Sequence, residues 1–228
     1  LYNDIINNGC VAIKFVQWIM SRYNLLYSDK NKPSWYKLLD NFYENCPIHS
    51  FDYTKTTLEN HFNKPIKDIF DNIDIEPLAS GSIAQVYRCK YNNKESVLKI
   101  VHPDLKKNSY IILQLLKITN SFMKSYIGKQ IYYLFPPIDM IDFINSLEEQ
   151  IDLSKEATNM TQIKLDFKDD TNFIIIPECY YSNKNFIIMS YEEGEEFETI
   201  NESDYVKYNI LLGFCCFVRS MCVIYGNI

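Results

Sequence analysis

Apolar residues recur at helical spacing across Asp4–Tyr27, where Ile6, Val11, Phe15, Trp18 and Ile19 fall on or near one stripe, and the spacing predicts a helix. Pro33 opens a second amphipathic stretch, Trp35–Glu44, closed by Cys46 and Pro47. A third, Thr54–Phe62, starts at Asp52 or Thr54 and is interrupted by Lys64 and Pro65 before Ile66–Phe70. The period then changes. Ile73–Leu78, Ile83–Tyr91 and Glu95–Val101 read as strands, the last two joined into a hairpin by the turn Asn92, Asn93, Lys94. Helical spacing returns over Leu105–Met123, stops at Pro136 and Pro137, and resumes from Asp139 to about Asn159, with Ile141, Ile144, Leu147 and Ile151 as its buried stripe. Glu149, Asp152 and Glu156 would share one face of that helix. Phe173–Pro177 and Asn185–Tyr191 are two further strands, apolar enough to be central, and Asn201–Ile224 is mostly helical. This order predicts an α+β fold around a five-stranded antiparallel sheet.

The chemistry concentrates in Glu76–Val101. Laid over the G-x-G-x-x-G-x-V loop of protein kinases, Ala79, Gly81, Ala84 and Val86 take the four fixed positions, and only the middle glycine is present. Small residues suit such a loop, because a larger side chain would keep phosphate oxygens from the backbone N–H groups. Strand alternation puts Ala84 and Val86 on one face of the first strand and Val97 and Lys99 on one face of the second. Val86 and Val97 would contact a nucleotide base, and Lys99 would offer its ammonium to the phosphates. An ordinary edge hairpin with a solvated lysine fits the same letters; a bend buried against protein would count against the nucleotide reading.

The wording separates these alternatives. PLASGSIAQVY followed by VLKIVHPDL resembles the UbiB family, the aarF-domain-containing atypical kinases, whose pattern is close to PLAAASIAQVH and then VAVKVQHP. Pro77, Leu78, Ala79, Ser82, Ile83, Ala84, Gln85, Val86, Lys99, His102 and Pro103 match it, and Gly81 stands where the family has alanine. The resemblance extends over the whole chain and implies further roles. Lys14-Phe15-Val16-Gln17 resembles a K-x-G-Q signature on a helix over the mouth of the nucleotide site, with Val16 in place of glycine. Glu156 resembles the glutamate of E-A-x-N, which in the kinase scheme orients the strand lysine. An E-x-D pair in the family corresponds to Gln150 and Asp152, and the amide of Gln150 puts any charged clamp on Lys14 or Gln17 in doubt. Met189, Ser190, Tyr191, Glu192 and Gly194 resemble a hinge whose backbone holds adenine.

Composition sets outer limits. With 228 residues the chain is long enough to bury roughly 70% of its unfolded surface. A net charge of −6 with both signs interspersed leaves no broad basic footprint for nucleic acid. The seven cysteines, at 10, 46, 89, 179, 215, 216 and 222, form no C-x-x-C pair, so neither a zinc site nor a disulfide framework is indicated and an intracellular, reducing compartment is expected. Richness in Asn, Ile, Lys and Tyr suggests an AT-rich genome, such as that of a large virus or a parasite. No signal peptide is visible, and the apolar stretch Ile210–Tyr225 contains Arg219 and is too short to span a bilayer.

The expectation is a kinase-like N-lobe at 73–194, with a helical insert at about 104–137, preceded by a helical extension at 1–72 and followed at 195–228 by the start of a helical C-lobe. Lys99 and Glu156 would be catalytic, Ala79, Ser80, Gly81, Ser82, Ile83 and Ala84 would cover the phosphates, and Met189 to Glu192 would hold adenine. The resemblance implies ATP and Mg²⁺, the metal ligands lying beyond Ile228, and a lipid or membrane-associated partner. A pseudokinase that binds without catalysis is the alternative; an unrelated interaction protein would require the order of motifs to be accidental.

Overall fold

A computed structural model describes residues 2–26, 46–123, 125, 140–168, 174–194 and 206–214. The expected helix Trp35–Glu44 and the breakers Pro136 and Pro137 lie outside them. The first expected helix is two, α1 (Tyr2–Asn7) and α2 (Cys10–Leu26). Between them Gly9 adopts φ +81, the left-handed conformation that ends helices, and its amide closes α1 on the Ile6 carbonyl at 2.9 Å. Helix α3 (Phe51–Phe62) starts earlier than expected, with Ser50 as its N-cap; Thr54 is not a cap but is buried within it. Ile66–Asp68 is a single 3₁₀ turn.

Among the described residues six strands form one antiparallel sheet: β1 (Asn72–Ile73), β2 (Ala79–Ser80), β3 (Ala84–Tyr91), β4 (Lys94–Val101), β5 (Cys179–Ser182) and β6 (Phe186–Ser190). The order is β1-β3-β4-β6-β5, with β2 also on β3. The expected strand Ile73–Leu78 is therefore divided. Pairing steps from Asn72↔Lys90 to Ala79↔Val86, seven residues against four, so three bulge out around Pro77, which has no N–H for the ladder. The β3–β4 turn has two residues instead of three: Asn92 and Asn93 both take positive φ, and Lys94 already pairs with Tyr91.

The run Phe173–Pro177 was expected as a central strand, yet residues 174–178 form no regular element and Ile175 is 71% exposed. Cys179–Ser182 pairs with β6 instead. The Asn183 carboxamide oxygen accepts from the amides of Asn185 and Phe186 at 2.8 and 3.0 Å, closing a hairpin turn that assigns β5 to the residues just before it.

Helix α4 spans Pro103–Met123, with proline in its first turn, where no N–H is missed. The expected helix from Asp139 to Asn159 is divided into α5 (Met140–Gln150) and α6 (Leu153–Asp166). Asp152 leaves the helical region at φ −108, ψ 93 and caps α6 by accepting from the Ser154 amide at 3.1 Å. Glu149, Asp152 and Glu156 consequently do not share a helical face.

Both faces of the sheet are covered. Tyr87, Cys89, Leu98, Ile100, Phe186 and Ile188 pack with Leu58 of α3 and Phe70 on one side. On the other, Ala84, Val101 and Ile187 join Val11 and Trp18 of α2, Leu105 and Leu113 of α4, Phe143 and Leu147 of α5, and Leu153 and Ala157 of α6. Each fully buried side chain of this size contributes about 1.5–3 kcal/mol.

Candidate nucleotide site

The register settles which side chains share the second face. Val86 stands opposite Lys99, Lys99 opposite Ile187, and Val97 opposite both Arg88 and Met189. Val86, Val97, Lys99 and Met189 therefore line the same surface, with Ala84 next along β3. Helix α6 lies across it, anchored where the Leu153 amide meets the Lys184 carbonyl at 3.3 Å. Because the Asp152 cap fixes where α6 begins, Glu156 falls in its first turn, and both of its carboxylate oxygens accept from Lys99 Nζ at 2.7 Å. The two side chains are 27% and 36% exposed, so the pair borders solvent and is not sealed in the core.

The loop is more covered than expected, and at Ser82 and Ile83 this counts against the nucleotide reading, whereas Ala79 and Gly81 stay open. Gly81 and Ala79 are exposed, but Ser82 and Ile83 are only 7% and 9% exposed, because α2 lies over them. The Ser82 hydroxyl donates to the Gln17 carboxamide oxygen at 2.9 Å, and Ile83 joins the apolar cluster beneath α2. Gly81 has no left-handed φ, and a Cβ there would meet the Ala84 carbonyl at an ordinary 3.6 Å, so the position does not demand glycine. Ser80 donates to the Pro47 carbonyl at 3.1 Å, which ties the loop to the segment before α3.

Lys14 lies one turn from Gln17 and looks toward the same site. Burial lowers its ammonium from the ordinary range, the Cys46 thiol opposes that shift, and the Lys99 ammonium adds to it. The expected partners on α5 and α6 do not reach it. Gln150 donates within its own helix to Ser146 at 2.7 Å, and Asp152 is engaged with Ser154. The break at Ile151 and Asp152 turns both side chains aside.

The expected hinge begins within β6, at Met189 and Ser190, and its central amides serve the sheet. Ser190 N–H donates to the Glu178 carbonyl at 2.9 Å and Tyr191 N–H to the Glu95 carbonyl at 3.2 Å. Ser190 also donates to the Glu192 carboxylate, and the Tyr191 ring lies under the Arg88 guanidinium at 4.4 Å. The Ser190 and Tyr191 amides are therefore not free for a ligand edge.

One cluster was not foreseen. His49, Thr54, Gln85, Tyr87 and His102 form a hydrogen-bonded chain between the segment before α3 and the loop. Gln85 and His102 belong to the matched motif, but residues 49 and 102 are too far apart in sequence for spacing to join them.

Residues 41–223 match the ABC1 atypical kinase-like domain. A relative from Dictyostelium discoideum, described as probable serine/threonine-protein kinase abkC, is 33% identical over 213 residues, covering 89% of this chain and 28% of its own. A Shewanella piezotolerans relative, described as probable protein kinase UbiB, is 31% identical over 174 residues, covering 75% of this chain and 30% of its own. The chain thus spans less than a third of either relative. A solved structure, the Rv3197–erythromycin complex from Mycobacterium tuberculosis, aligns at 20% identity and TM-score 0.49, covering 65% of this chain and 37% of that one.

Proposed function

The chain belongs to the ABC1 atypical kinase-like family, and from that premise we propose that it is the nucleotide-binding part of an atypical kinase or ATPase of UbiB type. The observation that carries the proposal is the bidentate Lys99–Glu156 pair on the face lined by Val86 and Val97. An ammonium held in place by a helix carboxylate, beside an apolar surface, suits a triphosphate above and a flat base alongside. Lys14 brings a second cation to the same side. ATP would supply the phosphoryl group; Lys99 would bind its phosphates, Glu156 would orient Lys99, and residues 79–84 would cover them. Mg²⁺ would accompany the ATP; among the described residues no three His, Cys, Asp or Glu side chains gather to hold a metal.

The division into an extension at 1–72, an N-lobe at 73–194 and the start of a C-lobe at 195–228 belongs to the same proposal. An intracellular setting is supported by the free thiols of Cys10, Cys46, Cys89 and Cys179. A lipid or membrane-associated partner rests on the family resemblance. Among the described residues no helix is long and apolar enough to cross a membrane.

A binding module without catalysis is favoured by one observation: Gln150, an amide where the family resemblance has a carboxylate, bonds within its own helix to Ser146 and offers Lys14 no charge. Two measurements separate the readings. Lys99→Ala in the full-length protein should abolish ATP-dependent thermal stabilisation, and an unchanged response would refute nucleotide binding at this site. ATP turnover by the unmodified full-length protein then distinguishes an enzyme from a module that only binds.

A further inference from the structure

Two carbonyls of the turn Gly81–Ala84 are clasped by one residue. The His102 amide donates to the Ile83 carbonyl at 3.0 Å, and its ring Nε2 lies 2.9 Å from the Gly81 carbonyl oxygen. A carbonyl can only accept, so Nε2 carries the ring proton and Nδ1 is bare. That Nδ1 faces His49 Nδ1 at 2.8 Å, which must then carry a proton, leaving His49 Nε2 to accept from the Thr54 hydroxyl at 3.0 Å. The Thr54 and Tyr87 hydroxyls are 3.2 Å apart, and the Gln85 carboxamide donates to Tyr87 at 2.6 Å. With the Thr54 proton directed at His49, the Tyr87 proton is directed at Thr54, and each donor has one acceptor. Gln85 also grips the His49 main chain, accepting from its N–H at 3.0 Å and donating to its carbonyl at 3.3 Å.

From this geometry we propose that His102 is a positioning residue of the nucleotide loop, that His49 sets the tautomer on which its grip depends, and that nucleotide affinity falls when either ring takes a second proton. The proposal rests on the reading of this loop as a nucleotide loop. Holding the Gly81 carbonyl toward His102 turns the Ser82 N–H of the same trans peptide the opposite way, so the ring sets the direction of a loop amide. A second proton has no place in the chain. On His102 Nδ1 it would meet the proton of His49. On His49 Nε2 it would turn the Thr54 proton toward Tyr87, whose own proton would lose its acceptor, at the cost of an unsatisfied buried donor.

The surroundings agree. Burial, and then the neighbouring His102, push His49 down to about 4; burial lowers His102 as well, against the Gly81 carbonyl and the Asp104 carboxylate. The other groups facing the pair are neutral: Thr54 and the Tyr53 ring from α3, and Gln85 and Tyr87 from β3.

The test uses the 228-residue chain with Mg·ADP as probe, titrated between pH 7.5 and 4.5, and amide exchange across Ser82–Ala84. At pH 7.5, His102→Leu should weaken binding about tenfold, roughly the worth of one hydrogen bond to the Gly81 carbonyl. His102→Gln, whose carboxamide N–H can replace Nε2–H, should bind like the unmodified chain. On acidification the unmodified chain should lose more affinity than His102→Gln, which shares the titration of ADP itself but not that of the ring. Exchange at Ser82–Ala84 should quicken in His102→Leu and not in His102→Gln, with or without ADP. A His102→Leu chain with unaltered affinity and exchange overturns the proposal. If the exchange pattern holds but no variant, nor the unmodified chain, binds ADP, the clasp stands and the nucleotide reading is what fails.

Discussion

Leu98 and Lys99 are neighbours on β4, yet they belong to opposite faces of one sheet that differ in kind. The face of Leu98 is closed: Tyr87, Leu98, Ile100, Phe186 and Ile188 have no exposed surface, and the polar groups at its margin satisfy one another. The face of Lys99 has an equally apolar far end, where α5 packs, but opens at Val86, Lys99 and Glu156. Position on the strand thus decides what a side chain is for. On the closed face substitutions should be felt as stability, and on the open face as binding.

The largest test of that contrast is Leu98→Ala. Leu98 is 0% exposed at the centre of the closed face, and truncating such a side chain costs about 2–5 kcal/mol. Urea unfolding should show the loss. If Lys99→Met, one residue along, destabilises the chain as much, the two faces are not distinct and Lys99 is chiefly a structural residue.

Acid should erode the same closed side through His49. Its pKa is depressed in the folded chain, to about 4 from an ordinary 6.5, so the unfolded chain takes up the proton first as pH falls. The contribution is therefore fully present above about 6.5 and is lost as pH falls toward about 4. Melting temperature followed through that window should fall less steeply in His49→Asn, whose amide N–H can replace the donor at Nδ1 but does not titrate. Equal slopes would mean that His49 is not a source of the acid sensitivity.

Asp152→Ala should have a smaller effect, about 1 kcal/mol from the lost N-cap of α6. It also tests the open face, because the cap fixes where α6 starts and hence where Glu156 meets Lys99. Nucleotide affinity should drop along with stability. A stability loss with unchanged affinity would show that α6 is held in place by Leu153 and Ala157 alone.

What could be read from the sequence divides along the same lines. The β3–β4 pairing was legible because period-two alternation and the asparagine turn act between adjacent residues, and they place Val86, Val97 and Lys99 together without knowledge of the rest. The approach of Glu156 to Lys99 came from motif resemblance, since no local rule links residues so far apart. The α5–α6 break was missed because the apolar stripe continues through Ile151, although Asp152 carries an N-cap signal. Phe173–Pro177 misled because apolar content marks burial, whereas strand pairing there follows from the turn at Asn183. The His49–His102 contact had no local signal at all; it exists because the segment before α3 runs beneath the loop.

The smallest effect belongs to Gly81, and it sharpens the contrast from the other side. Glycine in a phosphate loop invites the inference that its backbone requires it, but here φ is not left-handed and an added Cβ would find ordinary contact distance to the Ala84 carbonyl. Gly81→Ala removes only freedom in the unfolded chain, which for a compatible site stabilises by about 0.4–1 kcal/mol. Thermal unfolding should therefore shift slightly upward, with the His102 clasp intact because it engages the carbonyl and not the α-carbon. A destabilised Gly81→Ala chain would mean that the turn visits a left-handed conformation in solution, and that the loop over the open face is less fixed than its hydrogen bonds imply.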